Sequence, residues 1–127
     1  KSLNKDLFRK FNLSILNESK KLNNKLLQFK KNKKFVIGYG APARVATITN
    51  YLKINSKFIN YIIDDSPLKQ NKYSPGSHIK IVAMNKVNIS KVDIVIVFAY
   101  EYFSDIRKKF KSKKIKFFKP IPFKELS

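Results

Sequence analysis

The chain has 127 residues, 43% hydrophobic and 13% aromatic, which is enough apolar material for one globular domain and argues against wholesale disorder. It holds no cysteine and a single histidine, His78, so disulfides, Cys-based zinc sites and a histidine metal cluster are excluded within it. The formal charge is +20, but the excess is nearly all Lys scattered along the chain, with Arg only at Arg9, Arg44 and Arg107, so compositional bias explains it better than a specific nucleic-acid partner.

Residues 3–30 read as one long amphipathic helix. Leu7, Phe11, Ile15, Leu22, Leu26 and Phe29 fall at helical spacings, and neither Gly nor Pro interrupts them. Phe8, Ile15, Leu22 and Phe29 also repeat at seven, but Glu18 and Lys25 fill the companion positions and spoil a coiled coil. The helix is therefore expected to pack on its own domain or to bridge to a preceding one. No run approaches the roughly 20 apolar residues of a membrane span, and a soluble, cytoplasmic protein is expected.

From residue 34 onward strands and helices alternate. Lys34–Gly38 is a short strand, 42–52 a helix opened by Pro42, and Phe58–Ile63 a second strand ending in Asp64-Asp65. A long loop, SPLKQNKYSPGSH, leads to an extended piece over Ile79–Ala83. The continuous apolar run VDIVIVFA, Val92–Ala99, suits a strand covered on both faces; a helix over Tyr102–Phe110 and a last strand over Ile115–Phe118 follow. The expected fold is α/β: a small Rossmann-like three-layer domain with a mostly parallel sheet, 34–127, preceded by the N-terminal helix, 1–127 forming a single domain.

In such sheets ligands sit outside the carboxyl ends of the strands. Gly38-Tyr39-Gly40-Ala41-Pro42-Ala43 is a G-x-G-x-x-A pattern between a strand and a helix, a place where backbone N–H groups face an anion, and Arg44 lies one turn in. Asp64 stands where a dinucleotide site wants an acid, which keeps an NAD(P)-dependent oxidoreductase open as an alternative, beside a basic nucleic-acid or partner-binding module. The 64–78 loop is too long for a mere connector. Its Pro75-Gly76 predicts a type II turn with Tyr73 and His78 to either side, and Lys69 is placed to meet an anion. Tyr100, Tyr102 and Phe103 form a candidate aromatic rim. No nucleophile–base set is present, so the domain reads as a binder.

The blocks YGAPAR at 39–44, TNYLKI at 49–54, IIDDSPLKQNKYSPGSHIKIV at 62–82, IVFAYEYF at 96–103 and KPIP at 119–122 resemble the C-terminal domain of S-adenosylmethionine-dependent sugar C-methyltransferases, in the expected order over nearly the whole chain. The resemblance implies a fragment of a longer enzyme. A zinc-binding domain and a methyltransferase domain would precede it, carrying the structural zinc, the S-adenosylmethionine and the catalytic residues, so no cofactor is expected on this chain. It further implies a nucleotide-sugar substrate, dTDP-linked or similar, with Tyr39, Gly40, Ala41, Asp65, Lys69, Tyr73, Pro75, Gly76 and His78 at the cleft. Arg44 and Tyr100 join them as candidates, Arg44-Val45 standing where the family usually reads Lys-Gly and Tyr100 where a Trp is common.

Overall fold

The computed structural model describes residues 2–40, 45, 56–112 and 114–127, with the backbone alone for residues 2–4, 8, 11, 12 and 15. Helix α1 runs over Ser2–Lys31, with Lys30 and Lys31 in its last turn, where cations complement the carbonyl end of the dipole. It stops in a Schellman motif. The Lys34 N–H donates to the Phe29 carbonyl at 2.9 Å and the Lys33 N–H to the Lys30 carbonyl at 3.0 Å, with Lys33 left-handed at φ 57°. A lysine in that conformation is strained by its Cβ, so Lys33→Gly is expected to stabilise the domain by about 1 kcal/mol, read as a raised urea midpoint at unchanged slope.

Among the described side chains of α1, the buried ones lie in its second half. Leu22 and Leu26 are fully enclosed, Ser19 is buried, and Phe29 packs beside them, whereas Leu7 and Leu13 are more than half exposed. Of the expected apolar stripe, Leu22, Leu26 and Phe29 pack on this domain and Leu7 is exposed; the side chains of Phe8, Phe11 and Ile15 lie outside the described residues. The second half is also tied to the chain's end, since Glu18 accepts the Phe123 N–H at 3.3 Å.

Six strands form one mixed sheet: β1 Val36–Tyr39, β2 Ile62–Ile63, β3 Ile81–Val82, β4 Ile94–Val97, β5 Lys116–Lys119 and β6 Lys124–Leu126. Their order is β3-β2-β1-β4-β5-β6; the first five are parallel, and β6 returns antiparallel to β5 after a turn with a cis Ile121–Pro122 bond. Helix α2, Phe103–Lys109, follows a 3-10 turn at Tyr100–Tyr102. Because side chains alternate along a strand, the sheet feeds two cores. Val36, Ile62, Ile94, Ile96, Phe98 and Phe118 meet α1 on one face, while Ile37, Tyr39, Ile63, Val95, Val97 and Phe117 meet Ile106 and Phe110 on the other. Burial on both faces is why β4 reads as an unbroken apolar run.

Several expected bounds shift. Phe58 lies in a turn, so the second strand is shorter than expected, as is the third; β6 is an addition, lacking the alternation that would announce a strand. The helix expected over 42–52 lies outside the described residues except for Val45, which is helical and fully buried on the α1 face. Among the described residues no helix is long and apolar enough to cross a membrane.

Candidate functional site at the carboxyl edge of the sheet

β1 and β4 are neighbours whose following segments go to opposite faces: Val45 packs with α1, and α2 covers the other side. In doubly wound sheets such a divergence marks the place of the ligand crevice, outside the carboxyl ends of the two strands. Its floor is backbone. The Tyr39 carbonyl accepts the N–H groups of Phe98 at 3.0 Å and Ala99 at 3.2 Å, and the Gly40 N–H donates to Ile63 at 2.7 Å. Gly40 has φ 74°, and a Cβ built on it would stand 2.7 Å from the Ala99 Cβ. The two strand ends thus meet at a point that only glycine permits. Ala41 and Arg44, expected beside it, lie outside the described residues.

Tyr39 reaches the crevice through its backbone alone. Its side chain turns under α2, packs edge-on against Phe110 at 6.0 Å and is only 2% exposed. The hydroxyl donates to Asp65 Oδ1 at 2.9 Å and accepts from Lys109 Nζ at 2.9 Å, and Lys109 Nζ also donates to Asp65 Oδ2 at 2.9 Å. These three groups close a ring joining the end of β1, the end of β2 and the last turn of α2. Desolvation raises the Tyr39 hydroxyl above its ordinary pKa, with the Asp65 charge adding to it against Lys109. For Asp65, partial burial pushes the carboxyl up, but the bonds from Lys109 and Tyr39 together outweigh it and hold it below the usual range. Lys109 is pushed up to about 12, through its bonds to Tyr39 and then Asp65. The ring is therefore Tyr-OH, Asp carboxylate and Lys ammonium at neutral pH. Lys109 carries no sequence signal that separates it from the other lysines.

Asp64 has a different role. It is buried; its Oδ1 accepts the Ser66 N–H at 2.8 Å, and its carbonyl accepts Gln70 Nε2 at 2.9 Å, so it shapes the following turn. Lys69 lies exposed in that turn, its N–H donating to Ser66. At the end of β5, level with Val97, Lys119 places its ammonium 4.3 Å from the centre of the Tyr100 ring. Tyr102 is 63% exposed beside it, while Phe103, expected on the same rim, instead packs against Phe117 at 5.5 Å. Lys119 was not singled out by the sequence beyond its place in KPIP.

The structure does not bring the whole 64–78 block to this edge. After Asn71 the chain reverses: Asn71 donates to Ile81, Ile81 to Lys72 and Ser74 to Ile79, and Tyr73 bridges Lys80 antiparallel. Residues 71–74 thus run down the outer edge of β3, and the Pro75–Ser77 turn, with Gly76 at φ 79°, precedes β3 at the amino edge. Ser74 and Ser77 join hydroxyls inside it, and the Ile79 N–H bonds Ser74 Oγ at 3.1 Å. Pro75, Gly76 and His78 therefore sit about four strand residues, roughly 13 Å, from Gly40's edge, with Tyr73 halfway and exposed. Tyr39, Gly40, Asp65 and Tyr100 lie at the carboxyl ends of β1, β2 and β4, with Lys69 in the turn after β2; the other four described candidates lie away from this edge. Among the described residues no group of three His, Cys, Asp or Glu could hold a metal.

No curated protein matches the chain. A family model does, over residues 2–122, and that model describes the C-methyltransferase C-terminal domain. A match across nearly the whole chain identifies this protein as a member of the C-methyltransferase C-terminal domain family.

Proposed function

We propose that this domain binds a nucleotide sugar, dTDP-linked or similar, and holds it against a methyltransferase domain preceding it in the same polypeptide. The transferred methyl would come from S-adenosylmethionine on that domain, and structural zinc would also lie outside this chain. The observation that carries the reading is the divergence of the chain to opposite faces after the adjacent strands β1 and β4, with Gly40 and Ala99 in close approach between their ends. The strand order β3-β2-β1-β4-β5-β6 is that of doubly wound nucleotide-binding sheets and supports a Rossmann-like assignment. Family membership supplies the enzyme context. Lys119 and Lys69 add positive charge at the same edge, suited to a diphosphate. The NAD(P) alternative rested on the G-x-G-x-x-A pattern together with Asp64, and of these the Asp64 carboxylate is engaged with its own turn.

Calorimetry of the intact polypeptide with dTDP- and UDP-sugars tests the reading, with an NADH fluorescence titration alongside. Saturable heat with a nucleotide sugar and a flat NADH titration are the expected results. Absence of nucleotide-sugar binding overturns the proposal, and saturable NADH binding in its place restores the oxidoreductase reading.

A further inference from the structure

Resting on that reading of the crevice, we propose that Asp65 receives a pentose hydroxyl of the nucleotide and that Lys109 is the positioning residue that holds its carboxylate for the contact. Two acids stand side by side after β2, the place from which an acid reaches a nucleotide ribose in doubly wound sheets. Their surroundings separate them. Asp64 is buried and folded onto Ser66, whereas the Asp65 side chain is 61% exposed.

Asp65 is exposed and yet not loose. Each of its oxygens takes one internal donor, Tyr39 hydroxyl on Oδ1 and Lys109 ammonium on Oδ2, both at 2.9 Å. The third side of the ring, Lys109 to Tyr39, is also 2.9 Å, and the ammonium lies 5.5 Å from the Tyr39 ring centre. Tyr39 is itself fixed by burial against Phe110. A carboxylate oxygen has two acceptor positions, so each retains one for an incoming donor. An ionised acceptor already oriented by the protein loses little freedom on binding, which is what makes a polar contact selective.

The acceptor positions left open on Asp65 call for a hydrogen-bond donor, which a pentose hydroxyl offers and an ionised phosphate does not. The ligand would then lie with its pentose toward β2 and its diphosphate along Gly40 toward Tyr100, where Lys119 supplies positive charge. Lys109 touches Asp65 and Tyr39, and it acts on the ligand through them.

The test is calorimetry on the intact polypeptide with thymidine diphosphate and uridine diphosphate, each against its 3′-deoxy analogue. For the wild type, loss of the hydroxyl is expected to weaken binding about tenfold or more. Asp65→Ala brings that ratio close to one, Lys109→Met lowers it, and Lys109→Arg, which keeps a donor, preserves it. Circular dichroism verifies that each variant folds. A merely structural ring would weaken both ligands of a pair equally and leave the ratio unchanged in Asp65→Ala; that result, or a wild-type ratio of one, overturns the inference while leaving the crevice reading intact. Binding of no nucleotide by the wild type overturns both.

Discussion

Gly40→Ala is expected to destabilise the domain by about 2–4 kcal/mol, a large part of the 5–15 kcal/mol that typically separates a folded domain from its unfolded chain. Two independent penalties combine. At φ 74° any Cβ meets its own backbone, which costs roughly 1–2 kcal/mol. The same Cβ would also lie 2.7 Å from the Ala99 Cβ, inside the contact distance of two methyl groups. Ala99 cannot retreat easily, because its N–H and that of Phe98 are bonded to the Tyr39 carbonyl. Relief would have to part the ends of β1 and β4, and on the proposed function nucleotide-sugar affinity should fall with stability. The two penalties separate in a second variant: Gly40→Ala with Ala99→Gly removes the collision and keeps the strain, and should recover about half of the loss. Urea unfolding of the wild type, both single variants and the double gives the answer. A Gly40→Ala protein as stable as the wild type would show that the close approach at the crevice floor does not exist.

The physical reason that β4 and the start of the crevice were legible from the residues alone is local. A run such as VDIVIVFA can be satisfied only by burial on both faces, and the glycines of Gly38-Tyr39-Gly40 announce a turn that tolerates no side chain. The Pro75-Gly76 turn was legible for the same reason, and Gly76 does adopt φ 79°. Its position was not. Whether a turn lies at the amino or the carboxyl edge depends on the ladder from 71–74 to 79–81, and those backbone bonds leave no mark on side-chain pattern. Reading the 64–78 block as one cleft-facing loop follows the turn chemistry correctly and misses the reversal between Asn71 and Tyr73.

Lys109 was hidden differently. In a chain with 28 Lys and Arg against 8 Asp and Glu, a lysine in the last turn of a helix reads as dipole complement or solvated charge. What distinguishes Lys109 is its convergence with Tyr39 and Asp65, 70 and 44 residues away. The scarcity of acids makes Asp65 the more informative partner, since few carboxylates are available to organise so many cations. Only two ion pairs are found among the described residues, Lys21 with Glu18 and Lys109 with Asp65, and only the second joins separate elements.

The largest loss of stability is expected from Phe98→Ala, about 3–5 kcal/mol, enough to leave a marginal domain largely unfolded. Phe98 is fully buried on the α1 face, one residue past β4, and belongs to the cluster that joins Leu22 and Leu26 to the sheet. Its ring occupies the space that the absent side chain of Gly38 leaves on the neighbouring strand: a Cβ at Gly38 would stand 3.0 Å from Phe98 Cε2 and 3.2 Å from Ile62 Cγ1. Large residue and missing side chain are thus one packing unit across β1 and β4. Truncating the ring leaves a cavity that the main chain cannot close, because the Phe98 N–H holds the Tyr39 carbonyl at 3.0 Å. The complementarity makes a sharper forecast than the loss itself. Gly38→Ala alone forces the ring to shift and should destabilise by about 1–3 kcal/mol, whereas in a Phe98→Leu background, with less ring to displace, the same change should cost less. A double-mutant cycle by urea unfolding measures the difference. Strict additivity would mean that the two positions are not in contact and that the strands carrying the crevice are held by something other than this pair.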